Sequence, residues 1–341
     1  MREQTGVPFA GLTTLRLGGP ARRLVVAESE DEVLAAVRDA DSAGEPLLVM
    51  GAGSNLVVAD EGFDGTVLQV ATASAEPAPA SVVRLPAGRE WDRAVAEAVQ
   101  EGFAGVEALS GIPGLAGAAP IQNIGAYGQD VSQTVVGVRV LDRGDGRVRA
   151  LSPEQCEFAY RTSVFKGSQR FVVLSVDLTL ERSRLGAPVR YAELARHLGV
   201  EVGERVPAVD VRDAVLDLRR GKGMVIDPTD HDTWSAGSFF TNPLLPGEEA
   251  QRLLPVDAPR WPGTDGRVKA SAAWLIERAG FTKGYGAGPV RLSTKHTLAL
   301  TNRGGATTEE LLALAREVRD GVRDRFGVTL VNEPVLVGCD L

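Results

Sequence analysis

The stretch Ser110-Gly111-Ile112-Pro113-Gly114-Leu115-Ala116-Gly117-Ala118-Ala119-Pro120-Ile121-Gln122-Asn123-Ile124-Gly125-Ala126-Tyr127-Gly128 decides the reading of this chain. Five glycines and two prolines in nineteen residues would make a poor helix or strand. Its apolar content is nevertheless too high for a solvated linker. Backbone of this kind suits close packing against a flat ligand, where a side chain would be in the way.

Upstream, Leu47-Leu48-Val49-Met50 reads as a buried strand running into a second glycine-rich joint, Gly51-Ala52-Gly53-Ser54-Asn55. Bare amides after a strand can approach phosphate oxygens. The joint is neither a dinucleotide fingerprint, since Leu56 stands where the third glycine belongs, nor a Walker loop, since no Gly-Lys-Ser/Thr follows. Taken alone it is either a phosphate cradle or an ordinary turn.

Helical and strand patterns alternate around these two segments. Val33, Leu34, Val37 and Ala40 are spaced for a helix over Glu30 to Ala43, stopped by Gly44. A strand is expected over Ser81 to Leu85 and a helix over Trp91 to Glu101. Val135 to Leu141 and Arg147 to Leu151 flank Asp142-Arg143-Gly144-Asp145-Gly146, a hairpin signal, and Phe171 to Leu180 alternates as a strand. Further helices are expected over Val209 to Arg220, over Ser271 to Ala279, and from Thr307, whose partner Glu310 makes a capping box. Leu312, Ala315, Val318, Val322 and Phe326 form the apolar stripe of that last helix. Ala71 to Ala80 reads as a surface loop.

A chain of 341 residues with 44% hydrophobic and 24% charged residues has the balance of a multidomain globular protein. A net charge of −8 argues against a nucleic-acid-binding surface. The N-terminus lacks a signal-peptide core, and no stretch approaches the roughly 18 apolar residues of a membrane span. Cys156 and Cys339 lie far apart, and His197, His231 and His296 are scattered, so no metal site is expected. The compartment reads as cytoplasmic, without membrane partners, and a monomer is the default.

The two glycine-rich segments together closely resemble the FAD-binding loops of the UDP-N-acetylenolpyruvoylglucosamine reductase family. So do Tyr160-Arg161-Thr162-Ser163-Val164-Phe165-Lys166, Ala236-Gly237-Ser238-Phe239-Phe240-Thr241-Asn242-Pro243 and Ala272-Ala273-Trp274-Leu275-Ile276-Glu277. The blocks occur in family order between about Thr13 and Gly338. The resemblance implies an α+β chain: a two-subdomain FAD-binding fold of the p-cresol methylhydroxylase and vanillyl-alcohol-oxidase type, followed by a smaller α+β substrate-binding domain. Borders are expected at 1–70, 71–220 and 221–325, with a C-terminal strand over 326–341 carrying Glu333. Tyr191, in Arg190-Tyr191-Ala192-Glu193-Leu194, resembles the tyrosine of the family's longer form.

The resemblance also implies the chemistry. NADPH reduces FAD and leaves; flavin N5 then gives a hydride to C3 of UDP-N-acetylglucosamine enolpyruvate, and a proton at C2 completes UDP-N-acetylmuramate, a peptidoglycan precursor. Arg161 matches the arginine that stabilises charge developing on the carboxylate, work suited to a planar, permanent cation. Ser238 matches the proton donor to C2, although serine is a weak acid. Glu333 matches the catalytic glutamate; period two over Thr329 to Val337 puts it on one face with Val331, Val335 and Val337, where a carboxylate must be paired, protonated or at an edge.

For the cofactor, the resemblance implies Gly51, Ala52, Gly53, Ser54 and Asn55, together with Ser110, Gly111, Ile112, Pro113, Gly114, Gly117, Ala118, Ala119, Gln122, Asn123, Gly125 and Ala126. For the substrate it implies Tyr127, Tyr160, Tyr191, Lys222 and Asn242, with Lys269 and Glu277 lining the same site. Thr241 departs from a lysine often found there. No His or Cys lies in either loop, so FAD is expected to be non-covalent. His296 reads as structural. Rival readings are a sugar-alcohol or lactone oxidase of the same fold, which would lack the Ala236 to Pro243 block, and a flavin- or nucleotide-sugar-binding protein without turnover, against which Arg161, Ser238 and Glu333 together count.

Overall fold

A computed structural model describes residues 1–341 apart from Ala80, Thr264 and Asp265, so the end of the expected Ala71 to Ala80 loop lies outside the described residues. The chain divides into two compact units. The first comprises Met1–Val7, Ala21–Gly53 and Asp64–Val225; the second comprises Pro8–Pro20, Ser54–Phe63 and Ile226–Leu341.

The first unit holds two four-stranded sheets. One has the order Arg2–Pro8, Pro20–Ala27, Phe63–Val70, Leu47–Met50, with Leu47 opposite Thr66 and Met50 opposite Gln69 in a parallel pair. Helix α1 (Glu30–Ala43) supplies the crossover that precedes Leu47. Its start is written in Ser29, whose side chain accepts from the Glu32 N–H, and in three acidic residues in the first turn. Val33, Ala36, Val37 and Ala40 are its buried face, and Gly44 ends it in the left-handed region.

The other sheet is antiparallel, in the order Arg147–Leu151, Val135–Asp142, Phe171–Leu178, Val83–Pro86. Asp142 lies opposite Arg147, which fixes the expected hairpin. Helix α2 (Trp91–Gln100) buries Trp91 in the same core, where its indole N–H donates to the Leu109 carbonyl at 3.1 Å. Helices α3 (Ala192–Leu198) and α4 (Ala208–Gly221) pack a smaller cluster around Val189, Leu194, Val211 and Val215.

In the second unit, α5 (Gly247–Leu253), α6 (Ala272–Arg278) and α7 (Thr308–Phe326) share one core with Phe239 and Phe240. The capping box at Thr307 and Glu310 is present, and Leu312, Ala315, Val318 and Val322 are buried as their spacing required. The C-terminal strand is shorter than the expected run from Thr329. Val335–Val337 pairs in parallel with Leu56–Val58, because Pro334 and the isolated bridge from Asn332 to Phe240 interrupt the alternation before it. Val331 is 64% exposed, so the expected face of three buried valines around Glu333 does not form.

Candidate active site

In the first unit the Ser110–Gly128 segment is clamped from several sides. The Gly111 N–H donates to Asp92 Oδ1 at 2.6 Å, and its carbonyl accepts from Arg219 Nη2 at 3.2 Å. Trp91 N–H bonds the Gly114 carbonyl, Ala116 N–H the Arg89 carbonyl, and Gly117 N–H the Ala87 carbonyl. A Cβ on Gly117 would stand 2.6 Å from that of Ala87, and one on Gly125 would stand 2.9 Å from Arg161 Nη1. These two glycines therefore answer to the protein's own packing, not only to a ligand's approach. The joint Gly51–Gly53 lies beside this segment: a Cβ on Gly51 would meet Leu115 at 3.2 Å.

Arg161 sits at the tip of a tight turn closed by Ala159 and Thr162. Its φ of 54° is left-handed, a conformation that costs a non-glycine residue about 1–2 kcal/mol. That backbone carries the guanidinium to the far end of the glycine-rich segment, where it donates to the carbonyls of Asn123 (3.3 Å) and Gly125 (2.6 Å). The Tyr160 ring lies 5.6 Å from its Cζ.

Next to Gly125, Tyr127 meets Tyr191 edge to face with ring centroids 5.6 Å apart. Burial pushes the Tyr127 phenol up to about 12, and it raises that of Tyr191 as well. Lys222 Nζ lies 5.4 Å from the Tyr127 centroid and pairs with Glu193 at 2.6 Å. Arg161, Tyr160, Tyr127, Tyr191 and Lys222 thus gather around Asn123–Gly128, two of them cationic and three aromatic.

In the second unit the Ala236–Asn242 segment runs antiparallel to Val331–Glu333. Glu333 N–H donates to the Phe239 carbonyl at 2.8 Å and Thr241 N–H to the Val331 carbonyl at 3.0 Å. Phe239 and Phe240 anchor this pairing; burying each ring is worth about 1.5–3 kcal/mol. The pairing sets Phe239 opposite Glu333 and Ser238 opposite Pro334; Ser238 is half-buried, with its hydroxyl making no hydrogen bond among the described residues. Asn55, the last residue of the glycine-rich joint, belongs to this unit: its carbonyl accepts from Val335 N–H at 3.0 Å and its amide reaches the Glu333 carbonyl at 3.5 Å. The Ser54 carbonyl accepts from Thr14 Oγ1 at 3.4 Å.

Asn242 Oδ1 accepts from the Ala272 N–H at 2.9 Å, tying the segment to the start of α6. Glu277, on α6, is exposed and accepts from Thr297 Oγ1 at 3.3 Å. Lys269 pairs in register with Leu244, its Nζ 6.0 Å from the Trp261 ring.

Three residues escaped the sequence reading: Asp92, Glu193 and Arg219. Asp92 is gripped by Arg212 through two bonds of 2.6 and 2.9 Å. Burial alone would raise its carboxyl, but the Arg212 bonds and the Gly111 N–H outweigh it and hold it below the usual range. Only the run Arg219-Arg220-Gly221-Lys222 hinted at Arg219, one helical turn before Lys222. No group of three metal ligands occurs among the described residues.

The chain matches the FAD binding domain model over residues 21–152 and the C-terminal domain model of UDP-N-acetylenolpyruvoylglucosamine reductase over residues 227–337. It is 62% identical to the enzyme of that name from Thermobifida fusca, covering 98% of each chain. It is 59% identical to the one from Streptomyces coelicolor, covering 100% of this chain and 92% of the relative. The chain belongs to the UDP-N-acetylenolpyruvoylglucosamine reductase family. It is therefore an FAD-dependent oxidoreductase. The fold agrees: the crystal structure of the Thermus caldophilus UDP-N-acetylenolpyruvylglucosamine reductase superposes with a TM-score of 0.69 at 26% identity, covering 99% of both chains.

Proposed function

We propose that this protein reduces UDP-N-acetylglucosamine enolpyruvate to UDP-N-acetylmuramate with electrons from NADPH, as a cytoplasmic monomer in peptidoglycan precursor synthesis. The observation that carries the reading is the gathering of Arg161, Lys222 and three tyrosines around Asn123–Gly128. Fixed cations beside aromatic faces suit a nucleotide diphosphate that also bears a carboxylate. No helix among the described residues is long and apolar enough to cross a membrane.

FAD fits the loops. The Arg219 Nε is buried without a hydrogen-bond partner beside Gly111, a donor kept for a ligand. Gly51–Asn55 and Ser110–Ala126, with Ile112, Pro113, Ala118, Ala119, Gln122 and Asn123 among them, would hold the cofactor non-covalently, with the subdomain border near residue 70. When bound, FAD supplies the hydride chemistry that links NADPH to the alkene.

The remaining steps belong to the protein. Arg161 binds the substrate carboxylate and stabilises the charge that develops on its oxygens. Hydride arrival at C3 leaves C2 to be protonated, and Ser238, its hydroxyl uncommitted, gives that proton. Glu333, opposite Phe239 on the paired segment, is the second catalytic group at the enolpyruvyl carbons. Lys222, Tyr127, Tyr160, Tyr191 and Asn242 orient the diphosphate and uridine, and Lys269 and Glu277 line the same substrate.

The test is product analysis. Anaerobic incubation with NADPH and the enolpyruvyl substrate should give a product two hydrogens heavier, one NADPH consumed per product, and about a hundredfold less or lower still with Arg161→Met at comparable enzyme. NADPH consumption that requires oxygen and leaves the enolpyruvyl compound intact would support the oxidase reading instead.

A further inference from the structure

Glu107 is a fully buried carboxylate, and no lysine or arginine pairs with it among the described residues. Three N–H groups hold it instead. Oε2 accepts from the Gly105 N–H at 2.6 Å, and Oε1 accepts from the Ala187 N–H at 2.6 Å and from Gln129 Nε2 at 2.9 Å. Gln129 is fixed in turn, its Oε1 accepting from the Ala108 N–H at 2.8 Å. Every partner of the carboxylate donates, and only an acceptor-only group suits such a set; a glutamine here would turn a donor toward one of them. A Cβ on Gly186 would stand 3.0 Å from Oε1, so the backbone before Ala187 comes this close because no side chain is in the way.

Two of the three partners lead straight to the tyrosine pair. Gln129 lies opposite Ala126 in a hairpin that leaves Tyr127 and Gly128 as its turn. Both have positive φ, 47° and 87°, as a two-residue hairpin turn of this hand requires. Ala187 opens the run to Tyr191, which is held elsewhere by the Gly186 N–H on the Val206 carbonyl (2.8 Å) and the Val189 N–H on the Glu204 carbonyl (2.9 Å). Turn and run meet twice: a Cβ on Gly128 would stand 2.8 Å from that of Arg190, and the Tyr127 and Tyr191 rings cross edge to face. Glu107 therefore ties together the two segments that carry the rings. Burying a carboxylate is costly even when it is hydrogen-bonded, so a merely space-filling residue would not be one. We propose that Glu107 is a positioning residue for the nucleotide-sugar substrate: its carboxylate sets the Tyr127–Gly128 turn against the Ala187–Tyr191 run and so holds the tyrosine pair in its binding geometry. The inference rests on the reading that Tyr127 and Tyr191 orient the substrate of an FAD-dependent reductase.

The test is steady-state kinetics of the FAD-loaded wild type, Glu107→Gln, Glu107→Asp, Tyr191→Ala and the double variant Glu107→Gln/Tyr191→Ala, with flavin bleaching by saturating NADPH measured alongside. Glu107→Gln keeps the volume and should raise the substrate KM about tenfold or more. Its kcat and bleaching rate should stay within about threefold of wild type, because binding and not chemistry is lost. Glu107→Asp keeps the charge but falls one methylene short of spanning Gly105 and Ala187, and should raise KM about threefold. In the Tyr191→Ala background Glu107→Gln should cost less than about threefold in KM, since the pair it positions is already gone. A KM cost that adds in full to that of Tyr191→Ala would overturn the proposal, as would a fall in kcat and bleaching at unchanged KM. Should Glu107→Gln not retain FAD, the Asp variant decides: a raised KM with unchanged bleaching supports the proposal, and an unchanged KM overturns it. Loss of FAD from both would mean that Glu107 serves the fold alone, also against the proposal. Failure of the underlying readings would look different: an unchanged KM in Tyr191→Ala for the tyrosines, and wild-type flavin never reoxidised by the enolpyruvyl substrate for the reductase. Either would overturn the proposal with them.

Discussion

Replacing Asp92 by Asn tests whether the glycine-rich segment is held from behind by a charged clamp. Asp92 receives the Gly111 N–H at 2.6 Å and two bonds from Arg212, at 2.6 and 2.9 Å. Asn keeps one acceptor oxygen but loses the charge and one prong of the fork. With the two side chains only 30% and 15% exposed, solvent screening is partial. The loss should then resemble that of a charge-assisted hydrogen bond, about 1.5–3 kcal/mol. The pH dependence has a definite sign. The folded carboxyl titrates below its unfolded value of about 3.9, so its contribution is complete above that pH and disappears as pH falls through the folded value. Urea unfolding of the apoprotein at neutral pH should show the full difference between wild type and Asp92→Asn, and the two should converge in acid. FAD affinity, followed by flavin fluorescence, should fall in the same variant because Gly111 is released. Equal stability and equal FAD affinity for both proteins would refute the clamp.

Other outcomes follow from the same geometry. Arg161→Met should lower kcat by about a hundred- to a thousandfold, the cost of removing one preorganised charge from a developing oxyanion, with a smaller change in unfolding midpoint. Tyr127→Phe should remove one phenolate step near pH 12 from an ultraviolet titration. Because the folded value lies above the unfolded one of about 10, the stability tied to Tyr127 is complete below pH 10 and is lost as pH rises above it, a loss the Phe variant should not show. Glu193→Gln frees Lys222 from a partly exposed pair, and should lower the substrate KM by about two- to threefold with little change in stability; a raised KM would count against Lys222 as a diphosphate contact.

Much of this was written in local sequence. Glu30 to Ala43 is helical over the range its spacing gave, because cap, acidic first turn, apolar period and terminal Gly44 all agree. The same agreement holds for Thr307 and Glu310 and for the Asp142–Arg147 hairpin. What local pattern could not reveal was which distant segments share a unit. Ser54–Phe63 and Pro8–Pro20 belong with the C-terminal half, a fact set by the parallel pairing of Leu56–Val58 with Val335–Val337. That pairing also explains why the period-two reading of Glu333 failed: Pro334 breaks the alternation, and Val331 faces outward. Among the site residues, long blocks led to Arg161 and Ser238. Asp92 and Arg219 stayed hidden, because a carboxylate on an amphipathic helix and an arginine in a basic run look like surface until Gly111 is found between them.

Anaerobic stopped-flow absorbance near 450 nm tests the reductase activity most directly. The FAD-loaded protein should bleach with NADPH and regain its flavin band rapidly on mixing with UDP-N-acetylglucosamine enolpyruvate, the recovery being slowed in Ser238→Ala. A band that returns only with oxygen, or a protein that never takes up FAD, would contradict it.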